Sequence, residues 1–277
     1  GYGNALMGGI AAARGRFVII GDADASYDFL EIPKIVEKLR AGFDLVQGCR
    51  LPVGGGSIRP GAMPFLHRWI GNPFFSFLVR KWFRAPINDV SCGLRGFSKA
   101  MYERLDQRCT GMEFATEMII KASLLGEKIT EIPITLHPDG RTSRAPHLKT
   151  FRDGWRTFRY FLMCSPRWLF VVPSTIFIAF GLLGYLVAMP GLSIGRGSFD
   201  AHTLLFASLA ILCGYQCILF AVFAKTFAVT EGFLPPDGHL DYAYTMRFVV
   251  PGATLVALGF QTVFSSFFVS ILGMRRK

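Results

Sequence analysis

The sequence predicts an α/β domain, a mostly parallel sheet with helices on both faces, followed by an all-α transmembrane region. Three observations carry this expectation. Short apolar strands alternate with amphipathic helices over the first half of the 277 residues, the pattern of a sheet with helical crossovers. From Trp168 onward, three runs contain no Asp, Glu, Lys or Arg: Trp168–Met189, Thr203–Ala224 and Phe248–Leu272. Each reaches the roughly 20 residues that cross a ~30 Å hydrocarbon core as a helix. Directly before the first run, Arg141–Arg167 holds seven Lys/Arg against Asp153 alone. The positive-inside rule then places residues 1–167 on the cytoplasmic side.

The elements follow in order. Ala5–Ala13 is rich in helix formers, and Phe17–Ile20 is an apolar strand. Pro33–Arg40 has helical amphipathicity, and Gly42 separates it from a second strand, Phe43–Gly48. A glycine-rich loop leads to an aromatic and basic helix from about Pro64 to Phe83, and "NDVSCGLRGFSK" reads as loop, short strand and helix start. Glu113–Leu125 is helical, and Lys128–Pro133 with Ile134–Leu136 makes a strand. Tyr160–Trp168 is expected to lie in the membrane interface, its aromatics at headgroup depth and its arginines on lipid phosphate. Three full spans would leave Arg275–Lys277 on the far side. A third segment bending back at Gly259–Gln261 would return it to the cytoplasm.

Composition narrows the class. Hydrophobic residues make up 51% and mean hydropathy is +0.38, high for a soluble protein and concentrated in the last third. The net charge of +11 is local too, with six Lys/Arg and no acid between Arg50 and Arg84. The six cysteines form no CxxC pair and the five histidines are scattered, so a disulfide framework or zinc site is not expected. "GYGNALMGG" fails as a phosphate loop because Leu6 stands where GxGxxG needs its last glycine. Opening on helix-like sequence at Gly1 without methionine, the chain reads as a fragment.

The chemistry concentrates in "GRFVIIGDADASYDF" (residues 15–29). Ligands of open α/β sheets bind outside the carboxyl ends of strands, where this chain places Asp22 and Asp24. Two carboxylates there suit a divalent cation, and hard oxygen ligands suit Mg²⁺ or Mn²⁺, which grip a diphosphate in turn. Ser26 and Asp28 add oxygens nearby. Glu113 and Glu117 share a helix face and read as structural.

"GNALMGGIAAARGRFVIIGDADASYDF" resembles the core signature of family 2 glycosyltransferases with the GT-A fold, nearest the dolichol- or polyprenyl-phosphate hexosyltransferase branch. "LVQGCR", "NDVSCGLRGFSK", "GMEFATEMIIKASLLGEKITEIPI" and "GRTSRAPHLKTFRDGWRTFRYF" follow in family order, so the resemblance covers residues 1 to about 165. It implies that Asp22 and Asp24 hold the metal on a nucleotide diphosphate sugar. Asp89 would lie beside the sugar, where the family's candidate base sits. Arg50, Arg95, Arg141 and Arg144, with Ser143, would gather donor and acceptor phosphates. It further implies a cytoplasmic catalytic domain at 1–150 lacking its first strands and nucleotide-binding segment, and interfacial helices at 151–168. A transmembrane region at 169–277 would hold about three helices, 168–189, 203–224 and 248–272. The implied partners are the nucleotide sugar, a polyprenyl phosphate and the membrane, with no nucleic acid and a homo-oligomer admissible. "CSPRW" has Cys164 where the QxxRW of processive polysaccharide synthases needs Gln, which argues against a polymerase. Other readings are transfer to a glycolipid or polysaccharide, or a non-catalytic membrane assembly or flippase subunit. The intact aspartate pair speaks against the non-catalytic one.

Overall fold

The computed structural model describes residues 1–140, 150–191, 193–194, 197–198, 201–230 and 242–273. The chain divides into two units, Gly1–Pro235 and Pro236–Lys277. In the first, the chain runs through α1 (Tyr2–Ala12), β1 (Phe17–Ile20), α2 (Ile32–Arg40), β2 (Leu45–Cys49), β3 (Ser57–Ile58) and α3 (Asn72–Phe83). It continues through β4 (Arg95–Ser98), α4 (Lys99–Leu105), α5 (Phe114–Leu124), β5 (Ile129–Pro133) and β6 (Thr135–Leu136). The helices α6 (Thr150–Cys164), α7 (Val172–Ala188) and α8 (Ala201–Thr230) complete it.

The main sheet has the order β1-β4-β2-β5. β1, β2 and β5 run in one direction, as a mostly parallel sheet requires, but β4 is inserted against them, antiparallel to both β1 and β2. The sheet is therefore mixed. The reason lies in the loop before β4, which crosses the carboxyl ends of β1 and β2 so that the chain must descend between them. Arg95, first in β4, thus lies opposite both Ile20 and Gln47. The expected strand 128–136 is broken after Pro133: β5 stays in the main sheet, while β6 pairs with β3 in a separate two-stranded sheet.

Helices cover both faces. On one, α2 buries Ile35 and Leu39 with Val46, Leu94 and Ile132. Its close approach needs Gly96, where a Cβ would run into Ile35. Burying each such side chain stabilises by roughly 1.5–3 kcal/mol. On the other face, Leu45 and Phe97 meet Ile10 of α1, Met101 of α4 and Phe114 and Met118 of α5. Glu117 is structural, as expected: fully buried, it pairs with Lys121 at 3.0 Å and accepts from the Cys109 amide at 2.8 Å.

Aromatic packing joins the sheet domain to the helices C-terminal to it. Phe161 of α6 meets Phe75, Trp82 and Phe83, and Trp82 stacks on Trp168 with centroids 5.3 Å apart. Wide turns at His67–Gly71 and Arg167–Val171 precede α3 and α7. Each is followed two residues on by a proline, Pro73 and Pro173. A proline has no N–H for the i→i−4 ladder, and the helix widens locally.

α7 and α8 form a hairpin whose seam is made of small residues. Ser174, Gly181 and Ala188 recur every seventh position of α7, as do Ala207, Gly214, Ala221 and Ala228 of α8. A seven-residue repeat keeps one helix face on its partner, and small side chains bring the backbones close, as membrane helix pairs require. Tyr185 donates across the seam to Ser208 Oγ at 2.6 Å, since that hydroxyl itself donates to the Leu204 carbonyl. The outer faces carry exposed leucines and phenylalanines. A Cβ at Gly181 would lie 2.5 Å from Ile211 Cγ1 and 2.6 Å from the Ala207 carbonyl oxygen. Gly181→Leu is therefore expected to destabilise the detergent-solubilised protein by about 1–3 kcal/mol. Leu183→Ala, at a 59% exposed position, should leave the unfolding midpoint unchanged. Equal midpoints for the two variants would show that the seam is not close-packed.

In the second unit, α9 (Tyr242–Gly273) is one helix of 32 residues with Pro251 inside it. It runs without a break through Gly259–Gln261, so the bend required by the hairpin alternative is absent.

Candidate active site

β1 ends at Ile20, and the chain leaves the sheet through Gly21 into the acidic turn. Asp22 and Asp24 both line a cavity of about 360 Å³. The turn depends on Ala25, a non-glycine residue at φ 61°, a conformation costing about 1–2 kcal/mol. What holds it there is a set of bonds from outside. The Gly140 amide donates to the Asp24 carbonyl at 2.8 Å, and the His137 amide to the Ser26 carbonyl at 2.9 Å. Within the turn, Asp24 Oδ1 accepts from the Ser26 amide at 3.1 Å and from the Ser26 hydroxyl. Asp28 faces elsewhere: it caps the following short turn by accepting from the Leu30 amide, so it adds no oxygen to the cavity.

Asp89 and Arg50 form the second part of the site. Asp89 is fully buried, and Arg50 is 8% exposed. Arg50 Nε and Nη2 donate to the two Asp89 oxygens at 2.7 and 2.8 Å, and the Arg50 amide adds a bond of 3.0 Å. Arg50 lines the cavity; Asp89 does not. The geometry sets Asp89, expected beside the sugar, directly behind Arg50, which lines the cavity. Both its oxygens are on Arg50, and it acts by positioning that guanidinium. Burial works against charge on Arg50, but the neighbouring Asp89 more than offsets it, so the guanidinium is held charged.

A frame of polar side chains fixes this pair. Glu131 accepts from the Asn88 and Asp89 amides at 2.6 and 2.9 Å. Gln47 donates to the Asp89 and Cys92 carbonyls. The Tyr27 hydroxyl accepts from the Gly93 amide at 2.9 Å and from Arg50 Nη1 at 3.4 Å. Arg95 lines the cavity at 2% exposure, donating to the Ala115 carbonyl at 2.6 Å and the Cys92 carbonyl at 2.8 Å. It ties the loop before β4 to α5. Arg141, Ser143 and Arg144 lie outside the described residues.

Whether the carboxylates suit a divalent cation can be tested on the surroundings. A Cβ at Gly93 would run into Asp22 Oδ2, so the absence of a side chain there makes room for that carboxylate. Among the described residues no group of three or more His, Cys, Asp or Glu gathers. Mg²⁺ binds through one or two carboxylates plus substrate phosphates and keeps several waters, and Asp22 and Asp24 are two carboxylates on one cavity. The donor set fits.

Tyr27, Gln47 and Glu131 do not stand out in the sequence, although a glutamine inside the apolar strand "LVQGC" is a signal. His67 and Asp153 also line the cavity, His67 from the turn before α3 and Asp153 from α6. Facing away from it are the exposed Trp69 and Phe77 on the α3 side and Phe151 and Trp155 on α6. Arg68 sits over the Trp69 ring at 5.4 Å. Aromatics flanked by arginines form the surface expected at a membrane interface.

Two stretches of the chain match family models. Residues 1–106 match glycosyl transferase family 2, and residues 236–273 match the glycosyltransferase family 2 C-terminal transmembrane region. The chain is 39% identical over 225 residues to the low-salt glycan biosynthesis hexosyltransferase Agl6 of Haloferax volcanii, covering 81% of this chain and 53% of that protein. It is 30% identical over 145 residues to glycosyltransferase AglD of the same organism, covering 51% of this chain and 22% of that protein. The chain thus spans about half the length of the first relative and under a quarter of the second. Among solved structures, glucosyl-3-phosphoglycerate synthase from Mycobacterium tuberculosis superposes with a TM-score of 0.43 at 18% identity, over 60% of this chain and 55% of that one.

Proposed function

The chain belongs to glycosyltransferase family 2, by its domain at residues 1–106 and its C-terminal transmembrane region, and from that premise we propose a membrane-held, metal-dependent hexosyltransferase. It moves one hexose from a nucleotide diphosphate sugar to a polyprenyl phosphate at the cytoplasmic face. The observation that carries this reading is the strand-end pair Asp22/Asp24 in one cavity with a guanidinium held by a buried carboxylate. The likeness to a relative described as a glycan biosynthesis hexosyltransferase supports the hexose and a role in glycan assembly.

Asp22 and Asp24 would hold Mg²⁺ or Mn²⁺, which supplies charge neutralisation to the departing diphosphate. Arg50 serves the phosphates beside it. Of the five N–H bonds of a guanidinium, Asp89 and Tyr27 take three, and the planar fork offers the others to phosphate oxygens. An acceptor phosphate oxygen attacks the anomeric carbon as the bond to the diphosphate breaks, with inversion. A phosphate monoester has its second pKa near ~6, so the acceptor is already anionic and needs no strong base. A positioning role for Asp89 is consistent with that. The basic stretch Arg141–Arg167 attracts both anionic lipid and the acceptor head.

Labelled transfer to extracted lipid by the full-length protein, with a panel of donors, tests this. Transfer is expected to need Mg²⁺ or Mn²⁺ and to stop with EDTA. Replacing Arg141 and Arg144 with Gln should raise the KM for polyprenyl phosphate more than that for the donor. Label on no lipid with any donor would reject the reading.

A further inference from the structure

α8 is long and apolar enough to cross a membrane, and one residue in it has no apolar reason to be there. At 1.5 Å per residue, Gln216 lies about 4 Å from the midpoint of the run Thr203–Ala224. Its side chain is exposed. The polar groups of the hairpin are occupied elsewhere, Tyr185 with Ser208 across the seam and Thr175 with its own helix. Gln216 has no hydrogen-bond partner among the described residues. Water cannot serve instead, because half of a ~30 Å hydrocarbon core is about 15 Å, beyond the reach of the side chain. An amide left unsatisfied in hydrocarbon is costly, and glutamines of membrane helices bond across to another helix.

The face that carries Gln216 has the spacing of a helix contact. The small residues Ala207, Gly214 and Ala221 are buried in the seam with α7. On the opposite side, Leu209, Gln216 and Phe223 recur every seventh position, with Leu205 and Leu212 beside them, and all are exposed. A seven-residue repeat of large side chains is a second seam, and a single polar residue within it fixes register and the number of partners. Leucines and phenylalanines facing lipid need no partner; the glutamine does. Its amide carries two N–H donors and one carbonyl acceptor, so it is complementary to a second copy of itself. Copies inserted in one orientation are related by an axis along the membrane normal. At a two-fold contact each residue therefore meets its own counterpart at equal depth.

We infer that α8 pairs within the bilayer with α8 of a second copy of this chain, through the Leu209–Gln216–Phe223 face. Each Gln216 amide donates to the side-chain carbonyl of the other. The hairpin seam is on the other side of α8, so the two contacts do not compete. The inference goes beyond the transferase reading and does not rest on it.

Two measurements on full-length protein test it. Sedimentation equilibrium in density-matched detergent should give a dimer. Gln216→Leu is expected to raise its dissociation constant about 3- to 20-fold, the worth of an amide hydrogen bond between membrane helices. Leucine suits a lipid-facing position, so the variant should fold. The second measurement is oxidative cross-linking in membranes, in a chain whose six native cysteines are replaced by alanine. Gln216→Cys should give a covalent dimer. Phe180→Cys, exposed near the middle of the apolar run in α7, should not. If the alanine background does not fold, the sedimentation comparison decides alone. Monomeric wild-type protein overturns the inference, as does a dimer whose dissociation constant Gln216→Leu leaves within about twofold. Equal cross-linking at positions 180 and 216 overturns it too. So does a variant that loses thermal stability at unchanged oligomeric state, which places the partner of the amide within one chain.

Discussion

Asp24→Asn is expected to reduce hexose transfer by at least about a hundredfold, the scale on which lost stabilisation of a developing charge is felt, while the protein stays folded. The two halves of this expectation come from different atoms. An amide carbonyl at position 24 still accepts the bonds that Ser26 now makes to Oδ1, and Gly140 still holds the backbone carbonyl. The strained turn at Ala25 therefore keeps its supports. The charge is lost, and with it the hold on the divalent cation proposed for this site. Asp24→Ala removes the acceptor as well and should also loosen the turn, so the Asn variant is the cleaner measurement. Turnover near wild type for Asp24→Asn, at saturating Mg²⁺ or Mn²⁺ and with an unchanged unfolding midpoint, would remove the metal from the mechanism.

Asp89→Ala is expected to be the most destabilising single change in the site. It leaves the Arg50 guanidinium buried without its bidentate partner and the Arg50 amide without its acceptor. Breaking a buried pair from one side costs about 3–5 kcal/mol, or roughly 6–20 °C in the unfolding midpoint for a domain of this size. Replacing both partners with apolar residues is often neutral or stabilising. The pair Arg50→Met with Asp89→Leu should accordingly recover most of the lost stability while remaining inactive, because the proposed phosphate ligand has gone. Recovered activity in the double variant would show that the pair serves the scaffold alone. An unchanged midpoint for Asp89→Ala would mean that Arg50 is not held as the geometry describes.

The two predictions differ in how far the sequence alone leads to them. The acidic turn is legible because every cue is local. A short apolar run predicts a strand, two acids at its end predict a ligand site, and the structure keeps those residues together. The Arg50–Asp89 pair is half legible. Both residues stand out, but in the sequence each has its own task, Arg50 on phosphate and Asp89 beside sugar, whereas the fold binds one to the other. Arg95 shows the same effect: the register that sets it opposite Ile20 and Gln47 brings the carbonyls of Cys92 and Ala115 within reach of its side chain.

By itself the sequence determined the strand that carries the aspartates, the apolar runs and the basic stretch before them, and its ordered motifs carried the resemblance to the family. These properties are read within one to three turns of chain, where the periodicity of burial and the density of charge are set by neighbours in sequence. Only the tertiary structure decided that β4 runs against its neighbours, that Asp89 faces an arginine 39 residues away, and that Asp153 faces the cavity from a helix with an aromatic outer face. Partner choice among buried polar groups depends on distances across the sheet and between helices, and a desolvated charge takes whichever counter-group the packing brings within about 3 Å.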